Sequence, residues 1–305
     1  MTNQPLVTVM LIAMNHEEFI AQSTQSIIDQ TYKNIEVVFL DNNSEDKTFE
    51  IADEIFKNNG AFYQSMKNSE NKGVSENLNI QVTKATGDYL LILSGDDWLE
   101  KNAIESKMKF LLKNNLDILY SDGYKFIENK KAIKKLYSSK KKQTILKTIP
   151  NYFIHNITEN LVYSVGFLSK KEILLQHPFD ETIHAEDWDI ALRLSKNDFK
   201  LGFLDKKLFY YRILQTSLSH NSNKMKQSFI EITNKYLDEI KSDELLLKKY
   251  QLRLINFEIQ EKKELNSDRK VLLELKKKRA KIKYKNPILF FKISVLLLKK
   301  LFSQH

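Results

Sequence analysis

The chain of 305 residues contains no cysteine. That excludes disulfides and thiolate metal sites and is consistent with a reducing compartment. No apolar run reaches the length of about 18 residues that a membrane-spanning helix needs. The start, Met1-Thr2-Asn3-Gln4-Pro5, lacks a basic segment followed by an apolar one, so no secretory signal is expected. Glycine is absent beyond Arg212, and the one proline there is Pro287, so that region reads as helical.

Positive charge is plentiful but uneven. The net charge is +9, yet residues 221–305 hold 21 Lys+Arg against 10 Asp+Glu, and the preceding 220 hold 27 against 29. Basic chains often bind nucleic acid. Here the excess sits in a tail, and the larger part is near neutral and rich in acidic clusters. No nucleic-acid partner is expected.

Three of those clusters carry most of the information: Asp41-Asn42-Asn43-Ser44, Ser94-Gly95-Asp96-Asp97-Trp98 and Glu186-Asp187-Trp188-Asp189. The first two directly follow apolar runs, residues 35–40 and 89–93. Further strands are expected at residues 6–13, 61–66 and 117–121. Helices are expected at residues 16–30, 46–58, 74–83 and 101–113. Strands alternating with helices of this length imply βαβ units and a parallel sheet. Ligands of such sheets bind outside the carboxyl ends of the strands, where the acids fall. Crowded carboxylates there need a cation, a proton or donors, and a metal-bound diphosphate meets that need.

Residues 128–156 are rich in lysine, including Lys130-Lys131, Lys134-Lys135 and Lys140-Lys141-Lys142, and read as a mobile excursion over the active face. A strand is expected at 161–167, then helices at 169–176 and 187–195.

Taken in order, the motifs resemble those of inverting family 2 glycosyltransferases with the GT-A fold. The opening Val-Thr-Val-Met-Leu-Ile-Ala13-Met-Asn15 and the run Ser26 to Glu36 resemble the family's first strand, helix and Q-T-Y-x-N-I-E turn. Asp41 to Thr48 is similar to its D-D-x-S-x-D-x-T, and Asn71-Lys72-Gly73-Val74-Ser75 with Asn79 to its N-x-G-x-S helix start. Ala85-Thr86-Gly87-Asp88-Tyr89 precedes the metal motif, and Phe179-Asp180-Glu181 precedes Glu186-Asp187 as in the family's F-D-E … E-D segment. The resemblance covers roughly residues 5–213.

It implies an α/β fold, a Rossmann-like, mainly parallel sheet flanked by helices, over residues 1–220, while the basic region over 221–305 lies beyond the resemblance and reads as helical on its composition. It also implies transfer of a sugar from a UDP-sugar donor to a glycan or lipid-linked acceptor, as in building a bacterial surface polysaccharide. Divalent Mn²⁺ or Mg²⁺ would be held by Asp97 and Asp96, because hard cations prefer oxygen ligands and such sites use one or two carboxylates. The nucleotide would lie against Ala13, Asn15, Asp41, Asn71, Gly73, Asn79, Ser94 and Asp96, with Asp41 accepting from the uracil ring. Asp41 also reads as a turn residue, and Ser44 and Asp46 as caps of the next helix.

Asp187 is the candidate general base, with Glu186 beside it holding the acceptor or sharing the role. Trp188 reads as core and Asp189 as structural. Three departures stand out. Ser94 replaces the first acid of the common D-x-D-D, Leu78 stands where an Arg is usual before Asn79, and the histidine expected after Tyr211-Arg212 is displaced to His220. His220 is therefore a metal or phosphate candidate that also reads as a surface residue.

Between Arg269 and Lys300 there are 12 basic residues and one acid, Glu274, and residues 288–302 are apolar apart from Lys292, Ser294, Lys299 and Lys300. An amphipathic helix lying on an anionic membrane surface fits that pattern. The expected location is cytoplasmic, peripheral on the inner face of the membrane. Two other functions share parts of the pattern: transfer to polyprenyl phosphate, and nucleotide-sugar binding without catalysis.

Overall fold

The structure is a computed structural model, and it describes residues 4–214, 222–265 and 269–284. His220 and the apolar run 288–302 lie outside the described residues.

The chain folds as two units, the first built from residues 1–156 and 160–214. In order it runs β1 (Val7–Ala13), α1 (Ile20–Ile28), β2 (Ile35–Asp41), α2 (Thr48–Asn58), β3 (Tyr63–Lys67), α3 (Val74–Lys84), β4 (Tyr89–Ser94), β5 (Trp98–Leu99) and α4 (Ala103–Lys113). Then follow β6 (Ile118–Ile127), β7 (Ala132–Lys135), α5 (Ser139–Thr148), α6 (Tyr152–Asn156), β8 (Leu168–Lys170), α7 (Lys171–Gln176), α8 (Glu186–Lys196) and β9 (Leu201–Ile213). Among the described residues these strands form one sheet in the order β3-β2-β1-β4-β8-β6-β9-β5, with β7 alongside β6.

β1 to β4 are parallel to one another. Their apolar runs are buried on both faces, as parallel strands covered by helices must be: Val9, Met10, Leu11, Val38, Phe39, Leu91 and Leu93 are all inaccessible or nearly so. β8 runs antiparallel to both β4 and β6, β9 returns parallel to β6, and β5 and β7 pair antiparallel.

Four expectations change. The first helix starts at Ile20, because the amides of His16 and Glu17 are taken by Thr48 Oγ1 (2.7 Å) and Asp46 Oδ2 (3.0 Å) rather than by a helical turn. Residues 128–156 are not an excursion. They form β7, α5 and α6, with the lysines outward and Leu136, Tyr137, Ile145, Ile149 and Tyr152 buried.

The apolar run 161–167 is a buried turn instead of a strand, because Gly166 is left-handed (φ +63°), a conformation that breaks an extended run and suits glycine. Finally, β6 extends to Ile127 against a 13-residue β9. A register irregularity around Asp122 and the charged Asp205-Lys206-Lys207 interrupt the apolar alternation of this pair.

The second unit comprises residues 157–159 with the described part of 215–305. It contains α9 (Ser222–Asn234), α10 (Leu237–Ser242), α11 (Glu244–Glu264) and α12 (Arg269–Lys283). Phe229 stacks on Tyr250 at 5.7 Å and meets Phe257 at 5.6 Å, with Ile232, Ile240 and Ile255 buried. Asp243 caps the 21-residue α11 by accepting the Leu246 amide at 2.8 Å, the usual role of an N-cap carboxylate. No described helix is long and apolar enough to cross a membrane.

Candidate active site

The strand register brings the first two acidic clusters to one edge. Ala13 is level with Asp41, and Ile12 is level with Ser94. The loops leaving β1, β2 and β4 therefore emerge side by side at the carboxyl ends, the ligand-binding edge of an open parallel sheet. Gly95 is required there. A Cβ on it would lie 2.6 Å from Ala13 Cβ and 3.0 Å from His16 Nδ1.

Asp41 is fully buried and its carboxylate is turned onto Ser44, accepting the backbone N–H at 2.7 Å and the hydroxyl at 2.6 Å. Ser44 Oγ in turn accepts the amide of Asn15 at 2.9 Å. Ser44 thus locks Asp41 and β1 together rather than capping α2. Asp46 does meet the helix entrance, taking the Thr48 amide at 3.0 Å. Asn42 holds the 68–73 loop through Asn71 Oδ1 (2.9 Å), Lys72 N (2.8 Å) and Asn68 Nδ2 (3.0 Å). Asn15, Asn71 and Gly73 are exposed on this edge, and nothing lies within 4 Å of where a Gly73 Cβ would be.

The second cluster places two carboxylates side by side, one of them buried. Asp97 is 2% exposed, and burial, then Asp96, push its carboxyl well above the ordinary range despite the Arg212 backbone N–H donated at 2.8 Å. Its half-buried neighbour Asp96 accepts the Ser94 hydroxyl at 2.5 Å. Sequence reasoning missed Arg212 as a component of this site. Its Nε donates to the Asp96 carbonyl at 2.8 Å and its other nitrogens bond Glu128 and Gln22. The guanidinium lies over Phe19, Trp98 and Phe126, 4.5–5.2 Å from their centroids. The only signal was the Tyr-Arg pair itself. His16, also unforeseen, has its pKa lowered by burial against the opposing pull of Asp96, Asp46 and Asp41, and its Nδ1 has no hydrogen-bond partner among the described residues.

No group of three or more His, Asp or Glu among the described residues is arranged to hold a metal by itself. A buried carboxylate raised by an adjacent one nevertheless suits a divalent cation whose other ligands are phosphate oxygens and water. The residues fit such a metal at Asp97 and Asp96.

The third cluster opens α8 beside a small cavity lined by Leu78, Tyr120, Ser164, Phe167, Glu186 and Asp187, among others. Burial, then Asp187, raises the Glu186 carboxyl to about 8. Burial also raises Asp187, but hydrogen bonds from the Trp188 amide and from the Ser164 and Asn160 side chains oppose this. Asn160 Nδ2 lies 3.4 Å from Asp187 Oδ2, and Tyr152 OH donates to Asn160 Oδ1 at 2.9 Å. Several donors thus converge on Asp187, whereas at Glu186 only a backbone hydrogen bond opposes the raised carboxyl.

Trp188 is core, donating Nε1–H to the Asn156 carbonyl at 2.9 Å. Asp189 is buried and pairs with Arg193 at 2.6 Å. Asn79 has protein partners in this structure. It clamps the Phe179–Glu181 segment through Phe179 O (3.0 Å), Phe179 N (2.9 Å) and Glu181 (3.0 Å).

Comparison with known proteins places the chain in a family. The description of glycosyl transferase family 2 matches residues 8–174, more than half of the chain. The chain belongs to that family. An uncharacterized glycosyltransferase of Methanocaldococcus jannaschii, MJ1057, is 31% identical over 69% of this chain and 72% of its own. The Escherichia coli enzyme WfgD, a UDP-Glc:α-D-GlcNAc-diphosphoundecaprenol β-1,3-glucosyltransferase, is 29% identical over 73% of this chain and 82% of its own. Among solved structures, residues 1–349 of S. aureus TarS in complex with UDP-GlcNAc superpose with a TM-score of 0.64 at 18% identity. They cover 91% of this chain and 81% of that one. This glycosyltransferase thus has the GT-A type of α/β fold.

Proposed function

We propose that this glycosyltransferase moves a sugar from a UDP-sugar to a hydroxyl of a lipid-linked or growing glycan, with inversion at the anomeric carbon. The observation that carries the reading is the different setting of two acid pairs. Asp97 is buried beside Asp96, where a cation or a proton would relieve their repulsion. Asp187 is separately supplied with donors from Trp188, Ser164 and Asn160.

In the transfer, the acceptor oxygen forms a bond to the anomeric carbon as the bond to the diphosphate oxygen breaks, and the acceptor proton passes to Asp187. Glu186, its carboxyl raised by burial, lies beside the proton acceptor. A divalent ion, when bound by Asp97 and Asp96, supplies Lewis-acid stabilisation of the diphosphate leaving group. Asn15, Asn71 and Gly73 offer exposed polar and unobstructed surface for the nucleotide on the same edge, with Asp41 held by Ser44 at its floor.

WfgD's lipid-diphosphate acceptor supports the same acceptor class here. The catalytic chemistry is assigned to residues 1–220. The tail, with 12 basic residues and one acid between 269 and 300, is assigned to holding the enzyme at an anionic membrane surface where such an acceptor lies. The reading is tested by offering UDP-glucose and UDP-N-acetylglucosamine with Mn²⁺ to the wild-type enzyme in vesicles bearing GlcNAc-diphosphoundecaprenol. Sugar transferred to the lipid with UDP released is the expected result. Absence of UDP release from either donor overturns it.

A further inference from the structure

Lys107 is a charge in the wrong place. It sits on the buried face of α4 with Ala103, Ile104, Met108 and Leu111, fully inaccessible. It makes no ion pair among the described residues. Its ammonium donates to the Gly166 carbonyl and lies 5.9 Å from the Phe209 ring centroid. Taking an ammonium out of water for one carbonyl and one ring is unfavourable, and burial lowers its pKa to about 7. An apolar side chain of the same length would fill the space without that cost.

What Lys107 holds explains its presence. Gly166 is left-handed (φ +63°), and its N–H bonds the Ile92 carbonyl at 2.9 Å. The Phe167 N–H closes onto the Ser164 carbonyl at 2.7 Å. Residues 164–167 are therefore a tight turn strapped between β4 on one side and α4 on the other. The same segment carries Ser164 and Asn160, whose side chains donate to Asp187. Further ties of the segment include the Phe167 carbonyl accepting the Ile92 amide at 3.1 Å, Tyr137 OH accepting the Tyr163 amide at 3.0 Å and Tyr152 OH on Asn160. Lys107 supplies the charged one, at the residue where the chain reverses.

We propose that Lys107 is a positioning residue: by holding the Gly166 carbonyl it fixes the 160–167 segment so that Asn160 and Ser164 stay aimed at Asp187. The inference rests on the role of Asp187 given above. A misplacement of the base by as little as an ångström slows the reaction steeply.

The test is Lys107→Met, which keeps length and removes the donor, made in the full chain. Turnover is read as UDP release from UDP-glucose or UDP-N-acetylglucosamine, and the donor site by UDP titration. Turnover is expected to fall by about tenfold or more with UDP affinity unchanged. Exchange of the Gly166 and Phe167 amides with deuterium is expected to quicken. In an Asn160→Ala/Ser164→Ala background the same substitution is expected to add little, since coupled residues are not additive. A general loss of packing would instead lower UDP affinity as well and add fully in that background, and would overturn the proposal.

Wild-type turnover with slow amide exchange would also overturn it. Should Lys107→Met not fold, Gly166→Ala is the alternative, because its Cβ would lie 3.0 Å from Lys107 Nζ. The same selective loss of turnover is expected, and wild-type turnover contradicts the proposal. If the wild-type protein releases no UDP from either donor, the transferase reading fails, while the exchange measurement still decides whether Lys107 holds the turn.

Discussion

The two halves of the first unit solve the problem of presenting an acid in different ways. In the β1–β4 half, each functional acid follows directly on a strand, so parallel register alone aligns Asp41 and the Asp96-Asp97 pair at one edge. In the β6–β9 half, Asp187 opens a helix. Its setting is assembled from distant pieces: Asn160 and Ser164 on a buried turn, Tyr152 behind Asn160, and Lys107 behind Gly166. The first arrangement is local in sequence. The second exists only once the chain has folded.

The sharpest way to test that contrast is to remove the base while keeping its shape. Asp187→Asn is expected to lower turnover by about 10³-fold without changing UDP affinity, read by UDP release and by titration. A loss of UDP binding in that variant would merge the two halves into one site and break the comparison.

A smaller effect follows from the raised carboxyls. Unfolded, Glu186 and Asp97 release protons near 4.5 and 3.8, whereas folded they hold them to higher pH, about 8 for Glu186. Between those values the native state binds more protons than the unfolded chain, so stability present at low pH is lost as pH rises. The metal-free protein is expected to melt at progressively lower temperature from about pH 5 to pH 8. Glu186→Gln and Asp97→Asn should each flatten the trend. A variant that keeps the wild-type pH trend would contradict the burial of the group it replaces.

The smallest effect concerns Asn79. Replacing it with alanine removes its hydrogen bonds to Phe179 and Glu181 and is expected to cost roughly 1–2 kcal/mol of stability, measured by denaturant unfolding, with UDP affinity unchanged. Weakened UDP binding would return Asn79 to the nucleotide.

The same contrast explains what was legible in the sequence. β1, β2 and β4 are largely apolar runs, the last two leading into acids, and both their existence and their parallel pairing could be anticipated. The 161–167 run is just as apolar, but its pattern does not report that Gly166 adopts a positive φ. β9 was hidden because Asp205-Lys206-Lys207 interrupts its alternation, and with it went the role of Arg212. The lysines of 128–156 looked like solvated loop because they outnumber the spaced apolar residues, Ile145, Ile149 and Tyr152, that anchor α5 and α6. A helical wheel puts Lys107 on the apolar face of α4 with Ala103, Ile104, Met108 and Leu111, yet a lysine in that place reads as one whose head reaches solvent. Its burial depends on contacts with a turn some sixty residues away in the sequence.

The central claim is that Asp97, beside Asp96, holds a cation that a nucleotide diphosphate completes. Calorimetric titration of UDP into the wild-type protein with and without Mn²⁺, repeated on Asp97→Ala, tests it most directly. Binding that requires Mn²⁺ and disappears in Asp97→Ala is the predicted result. Equal binding by both proteins, or no binding of UDP in the presence of Mn²⁺, would contradict it.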